Sequence, residues 1–211
     1  MKTTPIRPHA GLIATAIFLS SIPLASAAPE DPTPPPPPAH APGDKPGMKH
    51  PEHPGKEIQE LITVINPVGD SKVKGTVLFE KDGEKVKITA KIGGLEANSK
   101  HAIHIHEFGN LSSNDATSAG GHFNPEGHDH GLPAGGDAKR HAGDFGNLEA
   151  DADGNAVLTL TVDNLSLSHG PNAIIGRAVI VHAKPDDGGQ PTGNAGDRIG
   201  AGVIGVSKVE K

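Results

Sequence analysis

The 211-residue sequence contains no cysteine, tyrosine or tryptophan, and its five phenylalanines are its only aromatic side chains. Without cysteine, no disulfide can hold the chain together, although exported domains often use them. The 28 glycines favour short strands joined by many turns over a bundle of helices. Stability must therefore come from core packing, from hydrogen bonds and from any bound metal.

Positive charge is also scarce. The formal net charge is −6, and it becomes −8 if residues 1–27 are removed, because they contain Lys2 and Arg7 and no acidic residue. An acidic chain has no long-range attraction for nucleic acid or anionic lipid, so we expect no nucleic-acid partner. If the substrate is an anion, positive charge close to the site must attract it.

Residues 1–27 have the pattern of a cleaved signal peptide. A positive start is followed by a largely apolar stretch at 10–25 and by Ala25-Ser26-Ala27, the small-residue motif that a signal peptidase recognises. The alternative, a transmembrane anchor, is disfavoured because the apolar run is short for a bilayer. No cysteine follows it, which excludes a lipoprotein anchor. We expect an exported protein, periplasmic or secreted, without a membrane span.

Residues 28–56 form a proline-rich segment with an unbroken proline run at 34–38. This composition favours extended polyproline II structure and cannot bury a core, so it predicts a flexible tether. Two interpretations of its metal-binding side chains stay open: solvated linker residues, or a loose arm that delivers copper, which thioether and imidazole groups bind well. These side chains are His40, Met48, His50 and His53.

Residues 57–211 are predicted to form one all-β domain. Runs of β-branched residues with partial alternation predict strands, and Asp82-Gly83 between two such runs predicts a hairpin. We count about eight strands and no amphipathic helix, in a sandwich or a flattened barrel. The predicted strands cover 61–65, 73–79, 86–92, 101–108, 156–162, 173–182 (two segments bent at Gly176) and 201–206.

Potential metal ligands cluster around two long loops, 109–146 and 184–198, of a length that is usually functional or disordered. His104 and His106 precede the first loop, and on a strand they would point to the same face. Imidazoles with one carboxylate suit zinc and copper far better than magnesium or calcium. The further candidates are His122, His128, His130, His141, Asp144 and His182.

Several motifs in sequence order carry a family resemblance. They are His104-Ile-His-Glu-Phe-Gly109, Thr117-Ser-Ala-Gly-Gly-His-Phe-Asn-Pro125, Arg140-His-Ala-Gly-Asp-Phe-Gly-Asn147, Ile174-Ile-Gly-Arg177, Val181-His182, Gly193-Asn-Ala-Gly-Asp-Arg198 and Gly202-Val-Ile-Gly205. Over residues 58–208 the chain resembles the copper/zinc superoxide dismutases, and would be a cysteine-free, exported member of bacterial type. The resemblance implies an eight-stranded Greek-key barrel of immunoglobulin-like architecture and an antioxidant oxidoreductase with superoxide as substrate.

The resemblance also implies a ligand set, with one copper and one zinc per subunit. Copper would be held by His104, His106, His122 and His182, and zinc by His122, His130, His141 and Asp144. His122 would bridge the two metals, and Asp186 would link one copper ligand to one zinc ligand. Because a glycine and then a proline follow His130, the match favours His130 over His128 as the zinc ligand.

The implied chemistry is the dismutation of superoxide to dioxygen and hydrogen peroxide. Arg198 matches the family's active-site arginine and would attract and orient the anion. Bridging His122 or bound water would supply a proton. Lys139 and Arg140 could help to attract superoxide, although a solvated surface role is favoured for Lys139. His101 and His169 are expected to be structural, and Glu107 to brace the backbone.

The sequence departs from the family at two places. Ala116 and Ala201 stand where the resemblance implies a disulfide, so we expect an apolar contact there and a labile metal-free form. The loop 187–197 is shorter and less charged than in many members, so steering of superoxide could be weaker. A homodimer is compatible with the family, but the sequence does not show its interface. The alternative functions are a non-enzymatic copper or zinc carrier on the same scaffold and a purely structural sandwich.

Overall fold

The computed structural model describes residues 57–133 and 139–209. The predicted signal peptide, the tether and its side chains His40, Met48, His50 and His53 lie outside the described residues. None of the described residues belongs to a helix long and apolar enough to cross a membrane.

The described part of the chain contains eight antiparallel strands and a short 3₁₀ helix, Thr117–Ala119. The strands are β1 (Ile58–Pro67), β2 (Lys74–Asp82), β3 (Lys85–Gly93), β4 (Lys100–His106), β5 (Asp144–Glu149), β6 (Ala156–Val162), β7 (Ala178–His182) and β8 (Arg198–Val209).

Hydrogen-bonded neighbours follow the order β5-β4-β7-β8-β1-β2-β3-β6. The end strands β5 and β6 pack beside each other, so the sheet is a nearly closed barrel. β7 returns by a long connection to lie beside β4, which gives the spatial order β7-β4-β5-β6 of a Greek key. The predicted fold class, all-β with a flattened Greek-key barrel, is confirmed.

The predicted hairpin at Asp82-Gly83 is also confirmed. Asp82 pairs with Lys85 across a two-residue turn, and Gly83 has a φ of 60°, which costs glycine little.

One strand prediction is wrong. The predicted segment at 173–175 is not a strand: Ala173 makes only an isolated bridge with Ser166, and β7 begins at Ala178. The eighth strand is instead β5, within and just beyond the region assigned to the first loop. Its sequence, Asp-Phe-Gly-Asn-Leu-Glu, has few strand formers, and its strand conformation depends on pairing with β4.

Alternating apolar residues fill the barrel. Phe79, Leu61, Ile88 and Ile103 are fully buried, and the rings of Phe79 and Phe145 lie 6.4 Å apart. A second, smaller cluster is built mainly of alanine: Ala116, Ala119, Ala178, Ile180 and Ala201. It contains both positions at which the resemblance implies a disulfide, so the expected apolar packing is present.

Candidate metal centre

Four buried histidines meet where β4 and β7 end and the first long loop returns to β4. Their candidate ligand nitrogens all lie within 4.8 Å of one another. Strand geometry brings them together: β4 carries two of them two residues apart, β7 ends in the third, and the loop residue forms a backbone bridge with His106. The four are His104, His106, His122 and His182.

Each strand-borne imidazole of this cluster is oriented by a hydrogen bond from one ring nitrogen. His106 Nδ1 donates to the Gly120 carbonyl at 2.9 Å, His182 Nδ1 to the Gly196 carbonyl at 3.1 Å, and His104 Nε2 to Asp186 Oδ2 at 2.8 Å. The Nε2 atoms of His106 and His182 lie 3.3 Å apart. Burial lowers the pKa of His106 to about 2 and that of His182 to about 3, which keeps both rings neutral, the form that binds metal.

A second buried cluster shares one histidine with the first. It consists of His122, His130, His141 and Asp144. Asp144 Oδ1 lies 2.9 Å from His122 Nδ1 and 3.3 Å from His141 Nδ1, and those two nitrogens are 3.4 Å apart. The separations of 3.3 and 3.4 Å suit a tetrahedral shell with bonds of about 2.0–2.1 Å, whose edges measure about 3.3–3.4 Å, whereas the 2.9 Å between Asp144 and His122 is a hydrogen-bond distance. Burial lowers the pKa of His122 to about 4.

Two ring nitrogens show that these clusters fit metal ions. His104 Nδ1 in the first cluster and His130 Nδ1 in the second are buried without a hydrogen-bond partner. His130 Nδ1 lies 3.0 Å from Asp144 Oδ2, but not in hydrogen-bond geometry. Buried polar atoms are nearly always satisfied. A cation in each cluster would satisfy both, and sets of imidazoles with at most one carboxylate suit copper and zinc.

Asp186 connects the two clusters. Its Oδ2 accepts from His104 Nε2 and its Oδ1 from His130 Nε2, both at 2.8 Å. Burial opposes ionisation of Asp186, but these hydrogen bonds outweigh it and hold the pKa of the carboxyl below its usual range. Burial likewise lowers the pKa of His130, yet its contacts with Asp144 and Asp186 raise it to about 9. These carboxylates therefore favour positive charge at His130, which a bound cation can supply in place of a proton.

Arg198 stands beside the four-histidine cluster, because its backbone pairs with that of His182 across β7 and β8. Its guanidinium donates to the Ala116 carbonyl at 2.5 Å and to the Gly120 carbonyl at 2.7 Å. The Gly120 carbonyl thus accepts from both Arg198 and His106. Partial burial lowers the pKa of Arg198 from its ordinary value, which is too high for this to remove the charge.

A cleft of about 160 Å³ opens onto these groups, lined by His106, Gly121, His122, His182, Thr192, Ala195, Gly196 and Arg198. Its volume suits a diatomic anion with a few waters. A cleft of about 610 Å³ lies between β5 and β6, but it has no histidine in its lining and is far larger than such a ligand needs.

The other candidate residues from the sequence lie outside both clusters. His128 is outside both clusters and contacts Glu126 at 2.9 Å. Glu107 Oε2 accepts from the Gly121 amide, so it braces the backbone as predicted. His101 is buried and bonds the His182 carbonyl at 2.9 Å through Nδ1, which agrees with a structural role.

The remaining three lie at the surface or against the backbone. His169 contacts the Ser168 hydroxyl at 2.8 Å, Lys139 is exposed, and Arg140 Nε donates to the Asp144 carbonyl at 3.2 Å.

Sequence reasoning gave no role to two amides that hold site residues. Asn147 accepts from the Asp186 amide at 2.7 Å and donates to the Asp186 carbonyl at 2.9 Å. Gln190 makes the same kind of pair with His130. Asn147 ends the motif Arg140-His-Ala-Gly-Asp-Phe-Gly-Asn147, which was a signal for it, whereas nothing in the sequence pointed to Gln190.

The fold is an antiparallel β-barrel, and it carries two adjacent candidate metal sites that share a histidine. A sequence model described as copper/zinc superoxide dismutase matches residues 73–204. A superoxide dismutase [Cu-Zn] of Podospora anserina is 50% identical over 148 residues, and that of Neurospora crassa 50% over 149; each match covers 66% of this chain and 94% of the relative. That of Claviceps purpurea is 48% identical over 148 residues, with the same coverage. The chain belongs to the copper/zinc superoxide dismutase family.

Proposed function

We propose that this chain catalyses the dismutation of superoxide to dioxygen and hydrogen peroxide. The observation that carries the proposal is the pair of buried clusters sharing His122, beside Arg198 and a small cleft. Copper would be held by His104, His106, His122 and His182, and zinc by His122, His130, His141 and Asp144. When bound, copper supplies one-electron exchange, taking an electron from one superoxide and giving it to another.

Arg198 binds and orients the substrate. Its guanidinium is held by the Ala116 and Gly120 carbonyls, so it is fixed in the lining of the cleft before the anion arrives. In a chain of net charge −6, this local positive charge must offset the overall repulsion of an anion.

His122 is placed to carry a proton to the reduced product. Its Nδ1 lies 2.9 Å from Asp144 in the proposed zinc site. Because His122 belongs to both clusters, its other ring nitrogen, Nε2, is the one available to copper. Nε2 would be free to hold a proton only while it does not bind copper, and a proton taken up there would be delivered inside the cleft. Asp144 and the zinc cluster fix the orientation of the ring.

Histidine substitutions test the proposal. His182→Ala removes one copper ligand and no zinc ligand, so the purified variant should retain zinc, lose copper and lose superoxide consumption. His128→Ala, at a half-buried histidine outside both clusters, is the control and should match the parent protein. Full activity in His182→Ala, or none in the parent protein loaded with both metals, would contradict the proposal. The carrier alternative predicts that last result, metal binding without activity.

We also propose that the protein is exported, with residues 1–27 removed, to the periplasm or the medium. The positive start, the apolar stretch and Ala25-Ser26-Ala27 support this. Expression of the full chain followed by cell fractionation and N-terminal sequencing should give a mature protein that begins at Ala28. Recovery of the uncleaved chain in the cytoplasm would contradict it.

Copper delivery by residues 28–56 is a further part of the proposal. Imidazole and thioether side chains in a proline-rich segment support it. Replacement of His40, Met48, His50 and His53 in the full chain should slow copper loading at limiting copper and leave zinc loading unchanged. Equal copper loading rates would identify them as linker residues.

A homodimer is supported by an exposed apolar patch. Phe108, Ile175, Val203 and Val206 are exposed, and Gly109 lies against the Gly176 carbonyl and Val203, which brings three of these segments together. A second copy of the chain would bury this patch. Val203→Asp should halve the mass measured by light scattering, whereas Val157→Asp, at an exposed valine on β6, should not. A monomeric parent protein would contradict this proposal.

A further inference from the structure

Besides Asp186, which bonds the His130 ring, the second long loop has a side chain that bonds the His130 backbone. Gln190 Nε2 donates to the His130 carbonyl at 2.8 Å, and the His130 amide donates to Gln190 Oε1 at 3.1 Å. A carboxamide is the side-chain group that can pair with both the N–H and the C=O of one residue. Gln190 thus joins the two long loops, between which no disulfide is possible in a chain without cysteine.

The same loop also covers the His130 ring. A Cβ at Gly193 would lie 2.1 Å from Asp186 Oδ1 and 2.8 Å from His130 Nε2, so this glycine closes directly over their hydrogen bond. The turn is held by bonds from the Gly193 amide to the Gly189 carbonyl and from the Asp187 amide to the Gly193 carbonyl. Backbone and ring of His130 are therefore both held by residues 186–193.

We propose that Gln190 is a positioning residue that keeps His130 in the zinc site, so that zinc retention depends on its two hydrogen bonds. The inference rests on the proposed zinc ligand set. The groups around metal ligands set their orientation, and loss of one typically costs 10–100-fold in affinity or activity. Gln190 is exposed, so we expect its loss to cost less, about three- to tenfold in the rate of zinc release.

Two variants of Gln190 separate the effect of the hydrogen bond that its side chain accepts from the effect of the one that it donates. Gln190→Met has a similar length and makes neither hydrogen bond, whereas Gln190→Glu keeps the acceptor for the His130 amide and loses the donor. The matched control is Gln59→Met, because Gln59 is the only other glutamine in the sequence and, within the described residues, its side-chain amide donates to the exposed Glu57 at 3.3 Å.

The experiment measures zinc transfer to a chromophoric chelator from the full chain loaded with copper and zinc. Zinc release should be fastest in Gln190→Met and intermediate in Gln190→Glu, with Gln59→Met equal to the parent protein and copper retained in all four. The visible spectrum of cobalt in the zinc site should shift in Gln190→Met and not in Gln59→Met.

A zinc release rate in Gln190→Met within twofold of that of the parent protein would overturn the inference. Equal loss of both metals together with a lower melting temperature would also overturn it, because that pattern indicates general destabilisation. Should Gln190→Met fail to fold, the comparison of Gln190→Glu with the parent protein decides the question. These readouts do not depend on superoxide, so an inactive but zinc-binding parent protein would contradict the proposed function without affecting this inference.

Discussion

At the scale of single residues, the site is built from imidazoles whose orientation is fixed by a hydrogen bond at one ring nitrogen. In the four-histidine cluster, the Gly120 carbonyl accepts from His106, the Gly196 carbonyl from His182, and the Asp186 carboxylate from His104. Such bonds fix the tautomer and leave the other nitrogen for a metal. The candidate ligands could be named from the sequence because they are histidines in motifs. Their carbonyl partners could not, because any residue type carries a carbonyl.

Asp186→Asn should weaken metal binding by about 10–100-fold. An asparagine has one acceptor oxygen, so it cannot accept from both His104 and His130, and its NH₂ group would face a ring N–H. Competition with a chromophoric chelator measures the affinity, and Asp153→Asn in an exposed turn is the control. Metal affinity unchanged from the parent protein would show that the link between the clusters has no energetic role.

Arg198→Gln should lower the second-order rate of superoxide consumption by about tenfold, because the local positive charge is lost. It should leave the copper and zinc content unchanged, since Arg198 belongs to neither cluster. Rates measured against salt concentration should depend less on ionic strength in the variant than in the parent protein. Loss of copper along with activity would indicate instead that Arg198 stabilises the copper site through Gly120.

At the scale of elements, strand pairing positions residues that are far apart in sequence. β4 places His104 opposite Asp144 on β5, and β7 places His182 opposite Arg198 on β8. The alternating β-branched runs predicted β3 and β6 to within one residue at each end, and β2 except for its last three residues, because their side chains alternate between core and solvent. The strand β5 was missed since its Asp, Gly and Asn have low strand propensity, and tertiary pairing overrides propensity.

Gly202→Ala should destabilise the barrel by about 1–3 kcal/mol. A Cβ there would lie 2.2 Å from the Val64 carbonyl oxygen, so β1 and β8 would have to move apart. Gly205→Ala, on the same strand with no atom within 4 Å of the added carbon, is the matched control and should change stability by no more than about 0.5 kcal/mol. Chemical denaturation of the two variants compares them, and equal stabilities would show that β1 adjusts without cost.

At the scale of the whole molecule, the chain keeps the family fold without a disulfide. The fold class, the family and the use of copper and zinc could be predicted from the sequence, because motifs of specific residues occur in order. Ala116 and Ala201 pack in one small apolar cluster, where the resemblance implied a disulfide. Export, the tether and the dimer stay predictions.

Metal binding should supply much of the stability of this protein. Without metal, the Nδ1 atoms of His104 and His130 are buried without a hydrogen-bond partner. A ligand present at 1,000 times its dissociation constant adds about 4 kcal/mol. Calorimetry of metal-free and metal-loaded protein should therefore show a large rise in melting temperature on loading. A negligible rise would mean that apolar packing alone replaces the disulfide.

Thiol reductants should leave both the melting temperature and the activity of the metal-loaded protein unchanged, because the chain has no disulfide to reduce. Incubation with a phosphine reductant, which binds metals weakly, tests this. Loss of activity with the metal content intact would contradict it.

The central claim is that one copper, held by His104, His106, His122 and His182 beside Arg198, makes this chain a superoxide dismutase. Titration of copper into the zinc-loaded protein, with stopped-flow measurement of superoxide decay at each step, tests it most directly. The decay rate should rise in proportion to added copper and reach a plateau at one copper per chain. A rate that stays at the background level, or that keeps rising beyond one copper per chain, would contradict the claim.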